Sequence, residues 1–195
     1  IFQATCDETT SKSGKKGAWR KQAATRLTGL VVMDIDHVEN PLTLYQGWIE
    51  KGLDLKALGI VLIYITPSGR GLKIVFKARL DWGNLIDNQH AMANVLNVIV
   101  DESCKDASRM SFLCKESDIL YIDKELFNYE NKEFGEKYDA DYRAGRSGNT
   151  QTDALAHKTN EQRAEQSGNL DVEEVSLKWR GKLRSEERRV GKECR

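Results

Sequence analysis

The sequence lacks several features that would assign it to a functional class. No run of 18 apolar residues is present, and the N-terminus lacks the charged-then-apolar pattern of a signal peptide, so we expect a cytoplasmic protein without a membrane partner. The four cysteines are scattered without a C-x-x-C pair, which argues against a zinc site or a disulfide framework. Basic and acidic residues number 30 each, so net charge predicts no partner and local charge becomes more informative.

Composition divides the 195 residues into four expected parts. Residues 1–29 are polar, with six Lys or Arg and no acid between positions 12 and 26, around Trp19. Such a segment suits a phosphate backbone and a stacked base, or it is a solvated stretch at the domain edge. Residues 30–140 hold the expected core, and residues 141–183 are expected to be a polar linker or the start of a further domain. Residues 184–195 look like a translated sequencing adapter, so we expect a fragment of a longer protein.

The core begins with an apolar run that carries two acids. Residues 30–38 read Leu-Val-Val-Met-Asp-Ile-Asp-His-Val, which predicts a buried β-strand. Because residues i and i+2 of a strand share a face, Asp34 and Asp36 are expected to project together. Adjacent carboxylates repel each other unless a cation lies between them, and Mg²⁺ suits such a pair. The alternative is two acids that face water at the end of a strand.

The rest of the core predicts an α+β fold with an antiparallel or mixed sheet. Expected strands cover residues 59–66, 72–79, 110–114 and 120–122, with a tight turn at residues 67–71. Expected helices cover residues 42–51, a stretch from Asp87 or Asn88 to about residue 100, and residues 125–144.

The strand at residues 72–79 has two unlike faces. Leu72, Ile74 and Phe76 alternate with Lys73 and Lys77. We expect the helix after residue 87 to cover the apolar face through a stripe at i, i+3, i+4 and i+7, formed by Met92, Val95, Leu96 and Ile99. The opposite face, with acids on one strand and bases on another, is expected to be an open groove.

Two further segments complete a possible site. The turn Ser68-Gly69-Arg70-Gly71 offers backbone N–H groups that phosphate oxygens can approach. Asp101, Asp106 and Arg109 follow in a polar connection, where either acid could be the third carboxylate; we favour Asp101, which ends an apolar run. Metal ligands, a phosphate cradle and cations together are typical of two-metal phosphoryl or nucleotidyl transfer. Taken singly, these features are also typical of a hairpin turn, a turn acid and a surface ion pair.

The combination resembles a known family. Residues 30–38, 66–76 (TPSGRGLKIVF) and 101–113 (DESCKDASRMSFL) are similar to the three motifs of primase-polymerase domains. The family is the VirE N-terminal, or BT-type, domain of Bacteroidetes mobile elements and phages, within the archaeo-eukaryotic primase superfamily. The resemblance covers roughly residues 15–135. It implies an RRM-like palm, template-directed nucleotidyl transfer from nucleoside triphosphates on single-stranded DNA, Mg²⁺ or Mn²⁺ as cofactor, and a helicase domain or protein as partner.

The resemblance also implies residue roles. Asp34, Asp36 and Asp101 (or Asp106) would be the catalytic metal ligands, and Ser68, Gly69 and Lys73 would bind the triphosphate, with Arg109 beside them for phosphate. We add Arg70 and Gly71 of the same turn to the expected triphosphate-binding residues. The chain departs from much of the superfamily because its second motif has no histidine, and Lys73 is the nearest cationic candidate. The alternative function is a non-catalytic module that binds single-stranded nucleic acid.

Overall fold

The structure, a computed structural model, describes residues 2–101, 105–112 and 114–145. The predicted linker beyond residue 145 and the adapter-like residues 184–195 lie outside the described residues. The architecture is α+β, with helices and antiparallel strand pairs. Its strands are β1 (Ala4–Cys6), β2 (Thr9–Thr10), β3 (Lys16–Gly17), β4 (Thr25–Leu27), β5 (Leu30–Ile35), β6 (Ile60–Ile65), β7 (Leu72–Lys77) and β8 (Ile119–Ile122). Its α-helices are α1 (Pro41–Glu50), α2 (Leu85–Leu96) and α3 (Lys132–Arg143).

A four-stranded sheet in the order β5-β7-β6-β8 forms the centre of the fold. Every neighbouring pair in it is antiparallel, and β7, the returning strand of the predicted hairpin, lies between β5 and β6. The strands predicted at residues 30–38, 59–66, 72–79 and 120–122 are confirmed, with ends shifted by up to three residues. The segments that pair as strands in this sheet are therefore the ones that the apolar runs in the sequence predicted.

One face of the sheet packs against helices, as the alternation in β7 predicts. Ile74 and Phe76 of β7 are fully buried in a cluster that includes Trp48 of α1 and Met92 of α2. Helix α1 begins where Asn40 accepts a hydrogen bond from the Thr43 N–H, with Pro41 in the first turn. This cluster is the main hydrophobic core.

The opposite face is not open along its whole length. Leu30, Val32 and Val75 form a second buried cluster with Leu126, which belongs to the 3₁₀ turn Lys124–Phe127. The expectation of an open groove was wrong at this end of the sheet. The polar residues of the face lie at the other end, where β5 and β7 carry Asp34 and Lys73.

Helix α2 differs from its predicted bounds. It begins after Asn84, whose side chain accepts hydrogen bonds from the N–H groups of Ile86 and Asp87, so neither Asp87 nor Asn88 is the cap. It ends at Leu96 because the next residue adopts a left-handed conformation. Of the predicted stripe, Met92 and Leu96 are buried, while Val95 and Ile99 are exposed.

One further expectation was wrong, and another was confirmed only in part. The described residues of the range 110–114 form no strand, because this stretch leaves the sheet and exposes Met110 and Phe112. The helix predicted at residues 125–144 is a 3₁₀ turn followed by α3, which begins after the Asn131 cap. The N-terminal segment is ordered into two small sheets, β1–β4 and β2–β3, and Asp139 of α3 accepts a hydrogen bond from the Leu27 N–H at 2.8 Å.

Candidate functional site

A row of polar residues crosses the sheet at the end of β5. Asp34 of β5 pairs in register with Lys73 of β7, which pairs with Tyr64 of β6. Strands pack about 4.8 Å apart, and paired residues point to the same face, so the three side chains are neighbours. They lie on the face opposite to the main core, next to the second apolar cluster.

Asp34 and Lys73 form a buried ion pair. The Lys73 Nζ lies 2.7 Å from Oδ2 and 2.5 Å from Oδ1 of Asp34. The two side chains are only 9% and 8% exposed. Removing both charges from water is costly, and such a pair persists because each charge compensates the other. Lys73 of the second motif therefore forms an ion pair with Asp34, the first acid of the first motif.

Asp36 lies just beyond β5 and is exposed. The chain turns at His37, which has a φ of 59°. Partial desolvation of its carboxyl raises the pKa of Asp36, and the neighbouring carboxylates of Asp101 and Asp34 raise it further. The Asp101 N–H donates to the Asp34 carbonyl at 2.8 Å. The three acids predicted to act together are thus neighbours, and their mutual repulsion is felt at Asp36.

The turn between β6 and β7 holds Ser68 in place. The Ser68 hydroxyl lies 3.1 Å from the Thr66 hydroxyl and accepts a hydrogen bond from the Arg70 N–H at 3.3 Å. Gly69 has a φ of +70°, and its N–H donates to the Thr66 carbonyl at 2.8 Å. These contacts position the hydroxyl at the start of the turn.

Gly71 is required by a close approach of backbone segments. A Cβ placed on it would lie 2.7 Å from the Ile35 carbonyl oxygen and 3.1 Å from Oδ1 of Asp36. The Arg70 carbonyl accepts a hydrogen bond from the Val38 N–H at 3.0 Å. The backbone of Arg70 and Gly71 therefore packs the turn against the end of β5. Their observed role in the structure is this backbone contact.

The two acids left open for the third position have different surroundings. Asp106 accepts hydrogen bonds from the Tyr142 hydroxyl at 2.6 Å and from the Ser108 N–H at 2.9 Å. Burial alone would raise the pKa of Asp106, but these hydrogen bonds and the charge of Arg20 outweigh it and lower the pKa. Asp106 therefore joins α3 to the loop, whereas Asp101 interacts electrostatically with Asp36.

A cavity of about 390 Å³ brings the predicted residues together. It is lined by Asp34, Asp36, Tyr64, Thr66, Pro67, Ser68, Lys73, Arg109, Met110 and Phe112. Nine of these lie within the three predicted motifs, and Asp34, Asp36, Ser68, Lys73 and Arg109 were expected at the site; among described residues, Gly69, Arg70, Gly71 and Asp101 are near it without lining it. Carboxylates, a hydroxyl and two cations around one cavity can hold a phosphate ester through charge and hydrogen bonds.

Sequence reasoning assigned no site role to five of the lining residues, Tyr64, Thr66, Pro67, Met110 and Phe112. Burial raises the pKa of Tyr64 to about 12, and its hydroxyl donates to the Phe112 carbonyl at 3.2 Å. The apolar run of β6 indicated a core role for Tyr64. Only the cross-strand register with Lys73 would have placed it at the site.

The acids at the cavity differ in how well their arrangement and their chemistry suit a divalent metal ion. In the part of the chain that the structure describes, no three His, Cys, Asp or Glu side chains are grouped tightly enough to hold a metal ion. The oxygen donors of Asp34, Asp36 and Asp101 are nevertheless those that Mg²⁺ and Mn²⁺ prefer. Desolvation raises the pKa of Asp36 most, and the Asp101 and Asp34 carboxylates raise it further against the opposing charge of Lys73. The donor set therefore fits a divalent cation in its chemistry.

Comparison with known proteins gives one match. A family model described as the BT4734-like, N-terminal domain matches residues 9–121, more than half of the chain. No curated protein and no solved structure gives a significant match. None of the helices in the described residues is long and apolar enough to cross a membrane.

Proposed function

Because the chain belongs to the BT4734-like N-terminal domain family, we propose that it is a cytoplasmic DNA primase or primase-polymerase domain that carries out template-directed nucleotidyl transfer. Its substrates would be nucleoside triphosphates and a single-stranded DNA template, in the replication of a mobile element or phage. A helicase domain or protein would supply the template. The matched range includes all three candidate motifs. The sheet with helices on one face and acids on the other would be an RRM-like palm.

The observation that carries this proposal is the shared cavity of Asp34, Asp36, Ser68, Lys73 and Arg109. A divalent cation bound by Asp36 and Asp101, with Asp34, would neutralise charge on the attacking and leaving oxygens. Lys73 would bind a phosphate as a point charge, held in position by Asp34 until the nucleotide arrives. Arg109 would hold phosphate oxygens through its guanidinium, and Ser68 would donate its hydroxyl proton.

The test is template-dependent incorporation of labelled nucleotide by the full chain with Mg²⁺ or Mn²⁺. Asp36→Asn is the informative variant, because Asp36 is exposed and its loss leaves the buried Asp34–Lys73 pair intact. We expect it to reduce incorporation by at least about 100-fold, the order of loss for a group that stabilises transition-state charge. Asp81→Asn, an exposed acid in a different ion pair, is the matched control and should leave the rate unchanged. Equal rates for Asp36→Asn and wild type would overturn the proposal.

A second candidate is a non-catalytic module that binds single-stranded nucleic acid. It is favoured by the Lys73 ammonium, which already neutralises Asp34 where a metal would otherwise be needed. For such a module, Asp36→Asn should retain or tighten salt-sensitive binding of a single-stranded oligonucleotide, because it removes negative charge. Tight binding by both proteins without any incorporation would select this candidate.

A further inference from the structure

Two large apolar side chains are exposed at the mouth of the cavity. Phe112 is 84% exposed and Met110 is 66% exposed, although both line the same cavity as Lys73 and Arg109. Keeping an aromatic ring in water forfeits the free energy of its burial, about 1.5–3 kcal/mol for a side chain of this size. An exposed apolar surface beside cationic residues is typical of a ligand site with an apolar and an anionic part.

The Phe112 backbone is fixed to the sheet. Its carbonyl accepts the hydrogen bond of the Tyr64 hydroxyl at 3.2 Å, and Tyr64 is buried. Tyr64 pairs in register with Lys73 on the neighbouring strand. The position of Phe112 relative to Lys73 is therefore set by one buried side chain and one strand pairing, although the stretch that carries Phe112 has no regular secondary structure.

We propose that Phe112, with Met110 beside it, is the surface that stacks on the base of the incoming nucleoside triphosphate. This inference rests on the proposed function and specifies the nucleotide subsite of the same cavity. A nucleoside triphosphate presents an anionic end and a flat base. The anionic end would be bound by Lys73 and Arg109, with a divalent cation offsetting the Asp34 and Asp36 carboxylates, and the base would lie on the aromatic face. Because every base has a π-face, stacking of this kind does not select a base, and all four nucleotides should bind with similar affinity.

The test compares two probes that share their phosphates. Dissociation constants of a nucleoside triphosphate and of inorganic tripolyphosphate are measured with the full chain in Mg²⁺. Phe112→Ala should weaken nucleotide binding roughly 5- to 100-fold, the range for one base–aromatic stack, and leave tripolyphosphate binding unchanged. Phe112→Trp should restore nucleotide affinity because the indole keeps the aromatic face.

Phe127 supplies a matched control. It is 77% exposed but lies on the 3₁₀ turn Lys124–Phe127 and is not among the described residues that line the cavity. Phe127→Ala should leave both dissociation constants unchanged. Equal nucleotide affinity in Phe112→Ala and wild type would overturn the stacking role, while the proposed function would stand. Equal weakening of both probes would also overturn it, because Phe112 would then shape the phosphate site. Binding of neither probe by wild type would overturn both proposals.

Discussion

Strand β7 carries two lysines on the same face, and their ion pairs differ in burial. Lys73 pairs with Asp34, and the two side chains are 9% and 8% exposed. Lys77, four residues further, pairs with Glu125, and those side chains are 30% and 59% exposed. The Lys77 ammonium also lies 5.0 Å from the ring centroid of Tyr129. Two identical residue types on one strand thus sit in different electrostatic environments.

The difference shows which pair is tied to the site. Water screens the Lys77 pair, so its charges interact weakly and either partner can be replaced at small cost. The Lys73 pair has lost its hydration, so removing one partner leaves an uncompensated buried charge. Replacing a buried pair with apolar residues of similar volume is often neutral or stabilising, so the pair is weak evidence for a purely stabilising role. The proposed phosphate-binding role of Lys73 would explain why an ion pair lies in the cavity.

The largest expected effect is at the buried pair. Asp34→Ala should lower the free energy of unfolding by about 3–5 kcal/mol, because Lys73 would remain buried without its carboxylate. Urea denaturation followed by circular dichroism measures the change. The double variant Asp34→Ala with Lys73→Met should recover most of the loss, since it removes both charges. A loss below about 1 kcal/mol for Asp34→Ala would contradict the comparison, because that is the range of an exposed pair.

An intermediate effect is expected in the turn, where two glycines have different surroundings. Gly71→Ala should destabilise by about 1–3 kcal/mol, because the new methyl group would press on the Ile35 carbonyl oxygen. Gly69→Ala should cost about 1–2 kcal/mol, through its left-handed backbone alone, because nothing lies within 4 Å of its Cβ position. Gly69→Asn should recover part of that cost, since asparagine tolerates this conformation, while Gly71→Asn should not. Equal rescue at both positions would contradict the steric explanation; urea denaturation measures all four variants.

Local patterns predicted the strands and part of the site. The apolar runs of β5 and β6 identify strands because burial and β-branching act within a few residues. The acids and the Ser68 turn were found because each motif is contiguous in the chain. The Asp34–Lys73 pair and the place of Tyr64 depend on strand register, which contiguous residues do not specify. The pairing of Lys73 with a carboxylate was therefore missed.

Two local patterns gave wrong predictions for identifiable reasons. Met110 and Phe112 alternate with polar residues as in a strand, but their backbone is held by the Tyr64 hydroxyl rather than by a neighbouring strand. The start of α2 was missed because Asp87 is itself a good capping residue. The structure uses it as the third residue of a capping box whose cap is Asn84.

A smaller effect is expected at the exposed pair. Glu125→Gln should change the free energy of unfolding by less than about 1 kcal/mol, because solvent already screens the Lys77 charge. The same urea titration measures it, and the change should shrink further at 1 M salt, where the screening length is about 3 Å. A loss as large as that of Asp34→Ala would remove the distinction between the two lysines.

The smallest effect has the opposite sign and depends on pH. Burial and the Asp101 and Asp34 carboxylates raise the pKa of Asp36 in the folded protein. The folded state therefore holds this proton more tightly than the unfolded state. The resulting penalty is absent below the unfolded pKa of about 3.9, grows as pH rises towards the folded pKa, and is complete above it. Asp36→Asn removes the penalty and should stabilise the protein at pH 7 by about 0.2–1 kcal/mol, a range that allows for solvent screening.

The free energy of unfolding of wild type and of Asp36→Asn, measured at pH 3 and pH 7 and with added Mg²⁺, isolates the penalty that the Asp36 charge imposes. Near pH 3 the two proteins should have equal stability, because the Asp36 carboxyl is protonated in both states. At pH 7, added Mg²⁺ should stabilise wild type more than Asp36→Asn, since a bound cation relieves the repulsion that raises the pKa. Lower stability of Asp36→Asn than wild type at pH 7 without metal would mean that the Asp36 charge is already compensated. In that case Asp34, Asp36 and Asp101 would need no metal cation, because the Lys73 ammonium would be sufficient to offset their negative charge.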